Sequence, residues 1–161
     1  VSINSAAVAR PEVLTESAWR YGAQCVVASI DAKWDETAGF FRVYVKGGRA
    51  PTDLDAVAWA RACVARGAGE VLLTSIDRDG ARTGYDLALT RAVAEAVDVP
   101  VIASGGAGEA GHLAEAVVDG GADAVLVAGI LHDGVTTVGA LKAAMRGAGL
   151  PVRGAPALAA G

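Results

Sequence analysis

Histidine, cysteine, aromatic rings and long apolar runs are all scarce in this chain. Two histidines and two cysteines in 161 residues, with no metal-ligand spacing, exclude a zinc-ribbon or disulfide scaffold. No metal and no cofactor is expected. Cys25 and Cys63 both sit in apolar surroundings and read as reduced core thiols. Basic residues form no stripe, and the net charge is −4 with a pI near 5.1, which argues against a nucleic-acid partner. No apolar run approaches the roughly 20 residues that span a bilayer, and no stretch reads as a signal peptide. A cytoplasmic protein without a membrane partner is expected. What is present is 53% hydrophobic residues, 20% charged residues and 21 glycines, the composition of a packed domain with one sizeable core.

Four short apolar runs, 24–30, 70–76, 99–104 and 124–129, lack polar alternation and predict parallel strands covered on both faces. A fifth strand is entered part-way, in "VSIN" at Val1. Helical patterns lie between them at 11–21, 53–66, 86–96, 111–119 and 136–146. Asp53 and Asp86 are expected N-caps, and Gly22, Gly67 and Gly120 expected C-caps. Three strands are announced alike, by "GAQCVVASI", "GAGEVLLTSI" and "GADAVLVAGI", a weak internal repeat of one βα unit. Alternating "FFRVYV" followed by "KGGR" predicts a hairpin in the loop after the first complete strand. The fold class is α/β, of parallel (β/α) units. Residues 1–148 are expected to form the folded part and 149–161 a loose tail.

Chemistry gathers where strands end. "IASGGAG" carries Ser104, Gly105 and Gly106 out of a strand, and glycines let backbone N–H groups approach an anion. Ala128 and Gly129 close the next strand with equally small residues, and together these predict a phosphate site. Asn4 and Ser5 follow the first strand just before a helix, where polar groups and free amides suit a second anion. A plain Asn cap is the ordinary alternative. Asp31 ends its strand and suits general acid–base work, with Lys33 near enough to be a structural partner. Asp77 and Asp79 flank Arg78 in "SIDRDG", where an Asp77–Arg78 ion pair would simply hold the loop.

"VSINSAAV", "VVASIDAK", "GAGEVLLTSIDRDGARTGYD" and "VPVIASGGAG" together resemble the cyclase subunit of imidazole glycerol phosphate synthase, of histidine biosynthesis. The likeness covers residues 1–148 and implies the C-terminal part of a (β/α)8 barrel from strand four onward. The sister isomerase of the pathway shares the half-barrel plan and the SGG loop, whereas "IDAK" and "GYD" match the cyclase. The resemblance implies a lyase that closes an imidazole ring on a bisphosphorylated ribulosyl substrate, using ammonia from a glutaminase subunit. It implies Asp31 as catalytic acid/base, Asp79 and Gly80 beside the substrate, and phosphate ends held by Asn4 and Ser5 and by Ser104, Gly105, Gly106, Ala128 and Gly129. Ser2 and Glu70 are implied on the ammonia path. The chain departs from the family pattern at Ser5, Ala81 and Gly129, the last two where a hydroxyl is usual. The first three strands, the second catalytic aspartate and the first-strand lysine loop have no counterpart here. The chain is therefore expected to pair with the missing half-barrel or with itself, and to be inactive alone. A non-catalytic half-barrel that binds phosphorylated sugars is the remaining alternative.

Overall fold

The computed structural model describes residues 1–154. The chain runs β1 (Ser2–Ile3), α1 (Ser5–Ala9), α2 (Glu12–Tyr21), a 3-10 turn (Ala23–Cys25), β2 (Val27–Asp35), β3 (Phe40–Val45), β4 (Ala50–Asp55) and α3 (Ala56–Ala65). It continues through β5 (Glu70–Ser75), α4 (Leu87–Ala94), β6 (Val101–Ser104), α5 (Ala110–Val118), β7 (Ala124–Val125), α6 (Gly129–His132) and α7 (Val138–Gly147). One sheet has the order β4-β3-β2-β5-β6-β7, with β1 pairing parallel to the start of β2. β2, β5, β6 and β7 are parallel neighbours, the expected result of βα units. The hairpin predicted from "FFRVYV" is present: β3 pairs antiparallel with β2 from Asp31 to Asp35, and β4 with β3.

The two faces of the sheet differ. Val26, Ala28, Ile30 and Ala32 are buried, as are Val71, Leu73 and Val101, beneath α2, α3 and α4. Each fully buried Leu, Ile or Val there contributes roughly 1.5–3 kcal/mol. Alternate residues Val27, Ser29 and Asp31, Leu72 and Thr74, Ile102 and Ser104 point to the other face and are only half-buried. The expected two-sided burial is thus replaced by one covered face and one half-open face. Small and apolar residues on both faces hide the alternation from a hydropathy reading. A second, smaller core gathers Tyr85, Leu113, Ala116, Ile130 and Leu141.

Element ends shift for identifiable reasons. The expected strand at 24–30 starts at Val27 because the 3-10 turn occupies Ala23–Cys25, and this turn leaves Cys25 exposed rather than in the core. Cys63 is buried, and burial pushes its thiol up to about 12. β4 continues through Asp55, which pairs with Arg42. Asp55 therefore caps α3 by accepting from Ala58 N–H at 2.8 Å, in place of Asp53. Asp86 caps α4 as expected, and Gly22 closes α2, whereas α3 and α5 close on Arg66 and Asp119, one residue before Gly67 and Gly120. β7 stops at Val125 instead of residue 129, since its partner β6 ends at Ser104 and the following glycines leave the ladder. Of the expected tail, residues 150–154 carry no helix or strand, with the Arg153 carbonyl accepting from Lys142 Nζ at 3.0 Å. Residues 155–161 lie outside the described residues.

Candidate active site

The register of the strands assembles the site. Asp31 on β2, Thr74 on β5 and Ser104 on β6 are successive partners in one row, so their side chains leave the same face near the C-terminal end of the parallel ladder. Asp31 does not end its strand as expected, because β2 runs on to Asp35 by pairing with β3. Asp31, Thr74, Ile76 and Asp79 line a cleft of about 310 Å³, closed on one side by Gly47 and Gly48 of the β3–β4 turn. Asn4, at the start of α1, turns its side chain toward this cleft and donates from Nδ2 to Asp31 Oδ2 at 3.0 Å. Its side chain makes no cap hydrogen bond, so the plain-cap reading does not hold. Ser5 Oγ accepts from the Lys46 backbone N–H at 2.9 Å, which ties the β3–β4 turn to the start of α1.

Burial raises the Asp31 carboxyl above the ordinary aspartate range; the Asn4 hydrogen bond opposes this and nearby Asp79 adds to it. A fixed, half-desolvated carboxyl of this kind is suited to giving and taking a proton. Lys33 does not serve Asp31. It pairs with Asp77 at 3.4 Å across the cleft rim. Arg78 in turn donates to Thr83 Oγ1 at 3.2 Å, so the Asp77–Arg78 pair does not form. β5 ends at Ser75, and Asp79 N–H donates to the Ser75 carbonyl at 3.0 Å. This turn, rather than strand alternation, is what presents Asp79 to the cleft.

A second pocket, of about 130 Å³, adjoins the first at Asp79. Gly80, Ser104, Gly105, Gly106, Ala128 and Gly129 line it, joined by Arg82, Ala107 and Leu126. Seven sequence-predicted residues, Asp79 included, therefore meet in one place. The glycines also have a structural duty. A Cβ on Gly105 would lie 2.8 Å from the Ser75 carbonyl oxygen, and one on Gly106 would lie 2.1 Å from the Gly84 carbonyl oxygen. The 104–108 loop is packed backbone to backbone against the 75–84 loop, and only glycine permits that approach. His112 Nδ1 accepts from Gly108 N–H at 3.1 Å and steadies the same loop.

Ser2, Val27 and Glu70 form the first row of the same face, at the opposite ends of the strands. Four residues separate Glu70 from Thr74, about 13 Å at a rise of ~3.3 Å per residue. A larger depression of about 470 Å³ lies between the C-terminal ends of α3 and α4. Its arginine, Arg61, is committed to the Ala96 carbonyl at 3.2 Å, and the depression holds none of the predicted groups. Arg82, Thr74, Gly47 and Gly48 escaped the sequence reading. Thr74 was the legible one, a hydroxyl two residues before the acidic loop on a strand already assigned.

Comparison with known proteins gives the family. The family model described as "Histidine biosynthesis protein" matches residues 1–137. The chain is 77% identical over 153 residues to imidazole glycerol phosphate synthase subunit HisF of Myxococcus xanthus, covering 95% of this chain and 60% of that relative. It is 56% identical to the subunit of the same name from Anoxybacillus flavithermus and 54% to that from Halalkalibacterium halodurans, each over 95% of this chain and 61% of the relative. The chain thus spans about three-fifths of the length of the curated relatives it matches. The family match over most of the chain and these identities lead to one conclusion: the chain belongs to the histidine biosynthesis protein family.

Proposed function

We propose that this chain carries one side of the cyclase site of imidazole glycerol phosphate synthase. On this reading the substrate is a ribulosyl-formimino aminoimidazole carboxamide ribotide with a phosphate at each end. Its products are imidazole glycerol phosphate and aminoimidazole carboxamide ribotide. The observation that carries the reading is the half-buried Asp31 carboxyl, hydrogen-bonded by Asn4 and adjoining, through Asp79, a glycine-lined pocket of about 130 Å³. Asp31 moves protons during ring closure and elimination. Asp79 and Gly80 flank the reacting centre, and Ser104, Gly105, Gly106, Ala128 and Gly129 receive one phosphate. Asn4 and Ser5 stand toward the other phosphate, with Asn4 also orienting Asp31.

Ammonia, from a glutaminase subunit, enters past Glu70 and Ser2 along the half-open face. That face is supplied with polar groups at both ends and is lined by Ser29, Leu72 and Ile102 between. The chemistry needs an acid and a base on opposite sides of the substrate, so a second carboxylate comes from the portion of the relatives' length that these residues do not span or from a second copy. The chain works in the cytoplasm. Among the described residues no helix is long and apolar enough to cross a membrane.

The test is an ammonium-dependent cyclase assay on the chain alone and on the chain mixed with the N-terminal portion of the Myxococcus xanthus relative that it does not cover. Turnover in the mixture alone is expected. Silence in both would leave a phosphate-binding module without cyclase activity.

A further inference from the structure

We propose that Arg82 is the anion-binding cation of the glycine-lined pocket, and that Asp133 is the counter-ion that a phosphoryl group displaces. The proposal rests on the reading that this pocket takes one phosphate of the substrate. Of the ten residues lining the pocket, Asp79 and Arg82 alone carry charge. A phosphate monoester brings close to two negative charges at neutral pH. Beside an aspartate it would be repelled unless a cation faced it, and Arg82 is the cation in place.

The backbone around Arg82 is fixed. Its φ is +57°, and its carbonyl oxygen lies 2.1 Å from where a Cβ on Gly108 would be, so the residue is seated on the 104–108 loop. Its guanidinium reaches across the pocket mouth. Nη2 lies 3.7 Å, and Nε 3.9 Å, from the position a Cβ would take on Gly129. Nη2 donates to Asp133 Oδ2, on the residue that closes α6. Nε and Nη1 donate to nothing among the described residues, so the fork retains donors for a second acceptor. Both side chains of the pair are about half-exposed, and an ion pair of that kind is held weakly. A phosphoryl group in the pocket therefore competes for the guanidinium with little opposition.

Gly129 fits this arrangement. It stands where the resemblance leads one to expect a hydroxyl side chain, and the space left is bordered by the Arg82 fork. Arginine thus supplies the side-chain contact that the missing hydroxyl does not.

The test is a titration of the 161-residue chain with inorganic phosphate, followed by amide NMR. Movement of the Gly105, Gly106 and Gly129 signals locates the anion, and their titration gives its affinity. Loss of one charge-assisted contact predicts about tenfold weaker binding in Arg82→Gln, recovery to within about threefold in Arg82→Lys, and tighter binding than wild type in Asp133→Asn. Arg82→Gln binding as tightly as wild type at the same glycine signals would overturn the role of Arg82 and leave the pocket assignment standing. Asp133→Asn binding more weakly would overturn the displacement. Failure of phosphate to move those signals in the wild-type chain would overturn both the proposal and the pocket reading.

Discussion

Substituting Gly106 and Gly80 by alanine separates two sources of strain. Both glycines have positive φ, +109° and +76°. A Cβ on Gly80 meets nothing within 4 Å, whereas one on Gly106 meets the Gly84 carbonyl oxygen at 2.1 Å and its carbon at 2.8 Å. The Gly84 N–H also donates to the Gly106 carbonyl at 2.9 Å, so neither backbone retreats without breaking that bond. Left-handed backbone alone costs an alanine roughly 1–2 kcal/mol, which is the whole expected loss for Gly80→Ala. Gly106→Ala adds a displacement of about an ångström in a packed loop, comparable to overpacking a core at roughly 1–3 kcal/mol. The expected total is about 2–5 kcal/mol, a large share of the roughly 5–15 kcal/mol that stabilises a domain. Urea unfolding at 25 °C reads the difference. At a denaturant slope near ~2 kcal/mol/M, the Gly106→Ala midpoint falls about 1–2.5 M and the Gly80→Ala midpoint about 0.5–1 M. Equal losses in the two variants would show that the 104–108 and 75–84 loops are not in backbone contact, and the geometry of the glycine-lined pocket would have to be abandoned.

Three further outcomes are expected. Because burial raises the Asp31 carboxyl in the folded state, the native form binds its proton more tightly than the unfolded chain. Its contribution to stability is then lost as pH climbs from the ordinary aspartate pKa of about 3.9 through the raised value. Asp31→Asn should therefore gain in melting temperature over wild type from pH 4 to pH 8, and a flat difference would contradict the burial. Tyr85 donates to the Leu126 carbonyl at 2.9 Å from a buried position, so Tyr85→Phe should lose about 1–2 kcal/mol in the same urea experiment. A thiol reagent at pH 7.5 should find one fast group, Cys25, and reach Cys63 only after denaturation, because that thiol is buried. Two fast thiols would contradict the packing of α3.

Much of the site was legible because it is written in contiguous words. "SGG", "IDAK" and "DRDG" each place their residues by local backbone geometry, and parallel register then brings those words to one end of the sheet without further information. What stayed hidden depends on tertiary contact. Arg82 looked like one more loop arginine, because nothing local announces that residue 82 takes a left-handed φ and leans on residue 133. Lys33 shares a strand face with Asp31, two residues along β2, yet its ammonium goes to Asp77 at 3.4 Å, an acid of the following loop that local sequence does not place there. Asp53 and Asp55 are equally good caps on local grounds, and the choice between them is made by pairing of β4 with β3. Cys25 follows an apolar-looking lead into a strand, yet a 3-10 turn turns it outward.

The central claim is that Asp31 is the proton-transferring group of a cyclase site that this chain shares with the rest of a barrel. It is tested most directly by kcat of the complemented enzyme, the chain together with the N-terminal portion from the Myxococcus xanthus relative, comparing wild type with Asp31→Asn. Loss of a positioned acid–base group predicts a fall in kcat of at least about 100-fold, with phosphate still moving the Gly105 and Gly106 amides. Turnover of the variant within tenfold of wild type would contradict the account and remove Asp31 from the chemistry.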